Sequence, residues 1–295
     1  MEAERYRDVC AWVDQVSPHG RQDGEQFADA TVAKVYLYAV LIDRPVSFVC
    51  VRTNWDQTLL DRQVGRLPSQ PTMSRRLRTV GVLAILERVL VRLGEEHGDA
   101  FVKAIDSKPL RVGNYSKDSE ARRGRAAGEM ARGYKLHAIC RGNRFIRWAI
   151  AAMNTNDQTM AALLIAGLGG YGYVVGDNGY DANPMHLLLR AQNHRLIAPP
   201  RRSSRDVRDP RRNTPERLRT MDMVDDRLYH GDSFGRSLMN QRRQIERQFG
   251  HAVMLGMHAP PPWVRGPRRV ALWVAGKLIL STLRLRQLEQ QRLTA

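Results

Sequence analysis

Three acidic residues stand out because each lies where a carboxylate could be held rigidly. Asp106 follows the short apolar run Phe101–Ile105, and Asp177 follows the short apolar run Tyr173–Gly176. Glu246 lies in a segment whose i, i+3, i+4 and i+7 spacing predicts a helix with one shared face. Ligand sites of α/β sheets lie outside strand ends, so two such Asp and a helical Glu can gather in one pocket.

Three carboxylates in one pocket repel one another unless cations neutralise them. Carboxylate oxygens are hard ligands that suit Mg²⁺ or Mn²⁺. Two such ions about 4 Å apart polarise a phosphodiester and activate a water or a 3′-hydroxyl for in-line attack. The predicted chemistry is therefore metal-dependent phosphoryl transfer, with Asp106, Asp177 and Glu246 as catalytic and metal-binding residues.

The charge of the chain favours a polyanionic partner. Its 295 residues include 47 Lys plus Arg against 30 Asp plus Glu, which gives a net charge of +17. Residues 111–147 and residues 190–219 each contain ten basic and three acidic residues, so these two windows supply +14 of that charge. Nucleic acid is the first candidate and an anionic membrane surface the second. The alternative is two solvated or disordered basic loops without a partner.

The candidate DNA-binding residues lie in these windows, at the start of a predicted helix or beside Glu246. They are Arg75, Arg76, Arg122, Arg123, Arg125, Lys135, Arg201, Arg202, Arg205, Arg211, Arg212, Arg242 and Arg243. Arg242, one helical turn before Glu246, could orient that carboxylate or hold a phosphate through its planar fork.

The first hundred residues are predicted to be mostly helical. The predicted helices cover residues 27–42, 59–67 and 75–93. The break Pro68–Pro71 separates the last two, and Arg75 and Arg76 fall in the first turn of the third. This arrangement is typical of a helix-turn-helix that reads DNA, and the alternative is a plain helical packing module.

The chain changes character after residue 100. The predicted strands cover residues 101–105, 134–140, 145–153, 173–176 and 196–198, and the predicted helices cover 157–168, 183–193, 236–249 and 268–293. The basic segment 201–219 has almost no apolar residues and is predicted to be a loop. Strands that alternate with helices in this order predict an α/β fold.

Other polar residues near these motifs are interpreted as structural. Asp181, four residues after Asp177, is interpreted as a helix cap, so we expect Asp181→Asn to retain activity. Asp157 is likewise interpreted as an N-cap. His137 and His186 lack a metal-ligand spacing and are predicted to lie at the surface.

The sequence predicts neither a membrane span nor a secretory signal. The apolar runs Val35–Ile42 and Val270–Ala275 are far shorter than the ~20 residues that a spanning helix needs. Glu2, Glu4 and Asp8 stand where a signal peptide would be basic. Three widely spaced cysteines form no CxxC pair, which fits a reducing compartment. We therefore expect a cytoplasmic protein without a membrane partner.

Four motifs, taken in order, resemble those of the DDE transposases of bacterial insertion sequences. They are AIDSK at Ala104–Lys108, GYKLH at Gly133–His137, GDNGYD at Gly176–Asp181 and RRQIERQF at Arg242–Phe249. The resemblance spans about residues 100–285, and the ordered set is more specific than any one motif.

This resemblance implies an RNase H-like mixed-sheet core with flanking helices. The implied catalytic domain covers residues 99–295, with a basic loop at 200–220 and a C-terminal helix. A helical DNA-binding module covers residues 1–98. The resemblance also implies a bacterial, nucleoid-associated location.

The resemblance further implies a function and its cofactors. Asp106, Asp177 and Glu246 would be the acids that bind two Mg²⁺ or Mn²⁺ ions for DNA cleavage and strand transfer at the ends of an insertion sequence. The implied partners are double-stranded DNA with terminal inverted repeats, target DNA and a second copy of the chain in a homodimer.

Two positions depart from the family pattern. Related transposases often carry a Tyr three residues before the Arg and a Lys seven residues after the Glu, where this chain has Met239 and Val253. Only 68 residues separate Asp177 from Glu246, which leaves little room for a large inserted β domain. Two alternatives stay open: a catalytically inactive DNA-binding relic, and an RNase H-like nuclease without strand transfer.

Overall fold

The computed structural model describes residues 2–17, 26–95, 101–126, 128–142, 144–201, 208–225 and 233–294. The chain forms two compact units, each built from separate segments of the sequence. The helical unit comprises Met1–Glu96, Val112–Glu120 and His251–Ala295, and the sheet unit comprises His97–Arg111 and Ala121–Gly250. Residues 251–295 therefore group with the N-terminal helices, whereas the sequence-based division into 1–98 and 99–295 is linear.

The helical unit is built around its last helix. Its helices are α1 (Glu2–Val16), α2 (Asp29–Leu41), α3 (Val46–Val49), α4 (Gln57–Gln63), α5 (Gln70–Arg76), α6 (Val80–Glu95) and α12 (Pro267–Thr294), with a 3-10 turn at Arg52–Asn54. Helix α12 packs against α6, α2 and α1. Its stretch from Val270 to Leu283 is buried on all sides, which is the pattern of a core helix. Within it, Lys277 is 1% exposed and forms a 2.6 Å ion pair with Asp43.

The predicted third helix is divided in the structure. Helix α5 begins after Ser69, whose side chain accepts from the amide of Thr72, and it ends at Arg76. The hydroxyl and the amide of Thr79 both donate to Arg76 O at the end of this helix, at 2.7 and 3.0 Å. The prediction that Arg75 and Arg76 begin the following helix is wrong, because both lie in the last turn of α5.

The sheet unit contains six strands and the helices that flank them. Its elements are β1 (Val102–Arg111), β2 (Arg122–Ala126), β3 (Glu129–Arg141), β4 (Arg144–Ala152), α7 (Asp157–Ile165), β5 (Gly172–Val175), α8 (Asn183–Ala191), β6 (His194–Ile197), α9 (Pro215–Asp225), α10 (Phe234–Asn240) and most of α11 (Arg243–Met254). A core of Ile105, Ile139, Leu164, Leu189 and Leu196 packs between the sheet and helices α7 and α8.

The sheet is mixed, and its strand order is that of an RNase H-like fold. Strand β1 lies in the middle, antiparallel to β3 and parallel to β5, which is in turn parallel to β6. On its other side, β3 pairs with β2 through Glu129–Gly133 and with β4 through Tyr134–Arg141. The α/β, RNase H-like fold class predicted from the sequence is therefore confirmed, as is the β3–β4 hairpin.

Several elements of the sheet unit differ from the sequence-based prediction. The predicted helix 236–249 is divided into α10 and α11, with Gln241 and Arg242 between them. Strand β1 does not end at residue 105 but continues to Arg111, because β3 pairs with it from Lys103 to Arg111. The sequence predicts no strand or helix where β2 lies, because its run of arginines lacks an apolar pattern. Helix α9 begins at Pro215, inside the segment predicted to be a loop. No helix within the described ranges is long and apolar enough to cross a membrane.

Candidate active site

Two neighbouring parallel strands bring Asp106 and Asp177 to the same edge of the sheet. Strand β1 pairs with β5 only as far as Ala104, opposite Val175, the last residue of β5. Asp106 lies two residues beyond this point in β1, and Asp177 lies two residues beyond it after β5. The prediction that Asp106 ends its strand is wrong, but the end of β5 still leaves it at an open edge.

The loop after β5 holds Asp177 in a defined turn. Gly176 N donates to Ile197 O at 3.0 Å, so the loop leaves the sheet from a fixed position. Asp177 Oδ1 accepts from Gly179 N at 2.8 Å, which is an Asx turn. A Cβ atom at residue 179 would lie only 2.8 Å from the same Oδ1, so this turn requires glycine.

Arg242 connects the acid on β1 with the acid on α11. Its Nη2 lies 2.6 Å from Glu246 Oε1, and its Nη1 lies 3.6 Å from Asp106 Oδ2. The Glu246 side chain is 49% exposed, whereas that of Asp106 is only 20% exposed. The guanidinium therefore bridges two of the three predicted acids, one buried and one at the surface.

The pKa of Asp106 depends on its burial and on the charges of Asp177, Arg242 and Glu246. Burial raises the pKa of Asp106 from its ordinary 3.8 to about 6. The amide of Ser107 and the charge of Arg242 lower it, but the charges of Asp177 and Glu246 raise it further. The two neighbouring acids thus disfavour the ionised form of Asp106, and Arg242 favours it.

The donor set suits a hard divalent ion. Asp106, Asp177 and Glu246 offer only carboxylate oxygens, the ligands that Mg²⁺ and Mn²⁺ prefer. Across the described ranges, no three His, Cys, Asp or Glu side chains lie close enough to surround an ion as they stand. Because Arg242 holds Glu246 in an ion pair, that side chain must release the arginine before it can join Asp106 and Asp177.

Two histidines and an aspartate occupy positions that the sequence did not reveal. His137 and His186 are buried, so the prediction that they lie at the surface is wrong. Asn156, rather than Asp157, caps α7, and Asp157 instead forms a 3.0 Å ion pair with Lys135. Burial lowers the pKa of His137 to about 4 despite the nearby Asp157 carboxylate, so its imidazole is neutral at pH 7.

Asp181 forms an ion pair that its sequence context does not predict. The N-cap of α8 is Ala182, which makes no side-chain capping bond, so the helix-cap interpretation of Asp181 is wrong. The carboxylate is buried and pairs with Arg217, which lies 36 residues later on α9. No local pattern in the sequence signals a pair at that separation.

Apart from Arg242, which is half-buried and pairs with Glu246 and Asp106, the predicted DNA-binding residues fall into three groups. The exposed ones are Arg75, Arg122, Arg123, Arg125, Arg201, Arg211, Arg212 and Arg243. Arg76 and Lys135 are buried and form ion pairs with Asp29 and Asp157, at 2.7 and 3.0 Å. Arg202 and Arg205 lie outside the described residues. Contact of any of these residues with DNA stays a prediction.

The fold is RNase H-like, and Asp106 and Asp177 lie at one edge of its sheet. A family model described as the transposase DDE domain matches residues 99–283. The chain belongs to this family, and it is a DDE-type DNA transposase, a class of enzymes that cleave DNA and transfer its strands. The family generally uses divalent metal ions.

Two solved structures of transposases show a distant likeness to the chain. A piggyBac transposase synaptic complex with hairpin DNA is 11% identical, with 94% of this chain and 70% of that chain covered and a TM-score of 0.46. A Mos1 transposase paired-end complex with the left transposon end is 14% identical, with 82% of each chain covered and a TM-score of 0.24. No curated protein sequence matches the chain.

Proposed function

We propose that the chain is the transposase of a bacterial insertion sequence, and that Asp106, Asp177 and Glu246 bind two Mg²⁺ or Mn²⁺ ions. The supporting observation is the influence of Asp177 and Glu246 on Asp106. They come from β1, from the loop after β5 and from α11, yet repulsion from Asp177 and Glu246 helps to raise the pKa of Asp106. Such repulsion is unfavourable in a protein without a cation, and it suits a site that binds one.

In this proposal Asp106 and Asp177 stay in fixed positions, whereas Glu246 and Arg242 move. When bound, the divalent ions supply polarisation of the phosphodiester and activation of the attacking hydroxyl. Asp106, within a paired strand, and Asp177, within an Asx turn, keep their carboxylates in place without reorganisation. Glu246 is more exposed and completes the ligand set from the helix. Arg242, once released by Glu246, can hold a phosphate oxygen of the DNA through its planar fork.

The proposed partners are double-stranded DNA with terminal inverted repeats, target DNA and a second copy of the chain. Arg122, Arg123 and Arg125 expose three guanidinium groups along β2, and Arg211 and Arg212 expose two more before α9. Contacts with the phosphate backbone need no base recognition, so these arginines suit both the element's ends and target DNA. A nucleoid-associated location in the bacterial cytoplasm follows from DNA as the substrate.

We also propose the functional division made from the sequence, in which residues 1–98 contact DNA and residues 99–295 carry out the chemistry. The exposed Arg75 at the end of α5 suits such contact. Arg76 suits it less, because its guanidinium is committed to Asp29 at 2.7 Å.

A non-catalytic DNA-binding relic is the second candidate function. Met239 and Val253 stand where related transposases often carry Tyr and Lys, and loss of the Lys removes an anchor for terminal phosphates. Arg243 and Arg247 are exposed on α11 and could supply that positive charge.

Cleavage assays with the full chain separate these functions. The substrate is the DNA that flanks the coding region on both sides, with Mg²⁺, Mn²⁺ or EDTA, and a mobility-shift assay measures binding in parallel. We expect metal-dependent nicked and joined products from the wild type. Asp106→Asn, Asp177→Asn and Glu246→Gln should bind DNA but leave it intact, whereas Asp61→Asn, at an exposed ion pair with Arg52, should behave as wild type.

Each other result has a defined meaning. Nicked products without joined ones indicate an RNase H-like nuclease. Binding without nicking under every metal indicates a relic. Full activity in Asp106→Asn or Asp177→Asn would refute the proposed metal-binding acids.

A further inference from the structure

Asp181 is a buried acid whose two oxygens are both fully engaged. It is 3% exposed and lies four residues after Asp177. Its Oδ1 accepts from Arg217 Nε at 2.9 Å and lies 3.2 Å from His186 Nε2. Its Oδ2 accepts from Arg217 Nη2 at 2.7 Å and from Arg201 N at 3.0 Å. The pair with Arg217 is therefore bidentate, which fixes direction as well as distance.

The Arg201 backbone held by Asp181 places the Arg201 side chain against the loop that contains Asp177. Arg201 Nε donates to Asn178 O at 3.1 Å, and its Nη2 donates to Gly179 O at 3.1 Å. These carbonyls belong to the two residues that directly follow Asp177. The Asp177 carboxylate thus binds an amide of the Asx turn, and Arg201 binds two carbonyls of the same turn.

Helix α7 adds a second contact to the same loop. Gln158 Nε2 donates to Gly179 O at 2.7 Å, so this carbonyl accepts from two side chains. The loop is therefore held by α7 through Gln158 and by Arg201, and only the Arg201 contact depends on Asp181.

The residues around Asp181 also bind part of the basic segment 190–219. Asn183 Nδ2 donates to Arg212 O at 2.7 Å, and Asn183 Oδ1 accepts from Thr214 N at 3.2 Å. Together with the Asp181–Arg217 pair, these bonds attach the segment from Arg212 to Arg217 to the start of α8. A segment that begins with the exposed Arg212 is thereby joined to the residues that follow the predicted metal ligand Asp177.

The charge state of Asp181 is constant over the working pH range. Burial would raise its pKa, but hydrogen bonds from His186, Arg217 and the Arg201 amide outweigh that effect and lower the pKa to about 2. The carboxylate is therefore ionised wherever the enzyme is folded and active. A buried ion pair is weak evidence for stability, because well-packed apolar residues often replace one at no cost. Its contacts with the Asp177 loop suggest a different use.

We propose that Asp181 is a positioning residue for Asp177, which it serves by fixing Arg201 as a clamp on the carbonyls of Asn178 and Gly179. This inference rests on the proposed role of Asp177 as a metal ligand. It replaces the expectation that Asp181→Asn retains activity. It also gives Arg201 a use other than the phosphate contact predicted from its charge.

The test compares Asp181→Asn and Arg201→Ala with two matched controls. Asp222→Asn removes an acid from an exposed 2.6 Å ion pair with Arg208, and Arg211→Ala removes an exposed arginine from the same basic window. Two quantities are measured with the full chain: the affinity for Mn²⁺ without DNA, by calorimetry, and the single-turnover nicking rate on saturating, pre-bound DNA.

We expect Asp181→Asn and Arg201→Ala to lower both the Mn²⁺ affinity and the nicking rate by roughly tenfold or more, the effect typical of residues that orient metal ligands. The affinity of both variants for DNA should stay within about threefold of wild type, since each leaves the other exposed arginines in place. Arg211→Ala, which likewise leaves the other exposed arginines in place, should weaken DNA binding by no more than about threefold and leave Mn²⁺ affinity unchanged. Asp222→Asn should change neither quantity.

The proposal can still be tested if Asp181→Asn fails to fold. Asp181→Asn leaves Arg217, whose side chain is 13% exposed, without its charge partner, so it could unfold the sheet unit. Arg201→Ala removes the clamp from an exposed position and leaves that pair intact. Wild-type Mn²⁺ affinity and nicking rate in Arg201→Ala, with Asp177→Asn inactive, would overturn the positioning role alone. Wild-type values in Asp177→Asn would overturn the proposed function and this inference together.

Discussion

Replacing Asp106 with Asn should stabilise the metal-free protein at neutral pH while it abolishes DNA cleavage. Asn keeps the shape of the carboxyl group, and its Oδ1 can still accept the 2.8 Å hydrogen bond from the Ser107 amide. It removes the charge that is repelled by Asp177 and Glu246. The substitution thus measures how much the charge of Asp106 lowers the free energy of unfolding, without a change in the shape of the side chain.

The size of the effect follows from the pKa of Asp106. The folded protein raises it from 3.8 to about 6. A pKa difference of about 2 corresponds to about 3 kcal/mol between the protonated and ionised forms. The side chain is 20% exposed, so water screens part of the repulsion and about 3 kcal/mol is an upper bound.

The sign of the pH dependence is fixed by the same shift. Because folding favours protonated Asp106, its contribution to stability is fully present below pH ~4 and is lost as the pH rises through ~6. Asn does not titrate. The variant and the wild type should therefore have similar free energies of unfolding near pH 4, and the variant should be more stable by ~2–3 kcal/mol at pH ~8.

Urea denaturation from pH ~4 to pH ~8 with EDTA measures this difference. Asp61→Asn, at an exposed ion pair with Arg52, is the control and should change stability by less than ~1 kcal/mol at each pH. Added Mn²⁺ should stabilise the wild type but not Asp106→Asn, because the ion binds only a complete ligand set. A variant that is less stable than wild type at pH ~8, or a difference that does not depend on pH, would refute the electrostatic reasoning.

The exposed arginines of β2 and the buried lysine of α12 allow two more tests. Replacing Arg122, Arg123 and Arg125 together by Ala should weaken binding equally for all DNA sequences and reduce the slope of log Kd against log salt by up to about 3, measured by fluorescence anisotropy. An unchanged slope would mean that β2 does not contact phosphates. Asp43→Asn leaves the buried Lys277 ammonium without its partner and should lower the free energy of unfolding by ~1–3 kcal/mol, whereas adding Lys277→Met should restore it. A double variant as unstable as the single one in urea denaturation would contradict this account.

Local patterns in the sequence were enough to predict many elements of the sheet unit. The apolar runs around residues 134–140 and 145–153 gave the β3–β4 hairpin, and the later alternation of short strands and helices gave β5, α8 and β6. Each of these elements has its own apolar run or helical pattern within a few consecutive residues, so composition and periodicity reveal it. The ordered motifs around Asp106, Asp177 and Glu246 then indicated the family.

Elements that depend on distant partners were not predictable in this way. Strand β1 continues past Asp106 because β3 supplies hydrogen bonds up to Arg111, and no property of residues 107–111 alone announces that pairing. Likewise, helix α12 packs with α1, α2 and α6 at the opposite end of the chain. A linear division of the sequence could not express that grouping.

The sequence by itself determined the excess of basic residues and the order of the acidic motifs, and from these followed a polyanionic substrate and a carboxylate cluster. Only the tertiary structure decided what each charge does. Arg122 is exposed, Arg76 is committed to Asp29, and Arg201 holds the backbone of the Asp177 loop. The physical reason is that burial and ion pairing depend on which distant residues surround a side chain, and these become neighbours only when the chain folds.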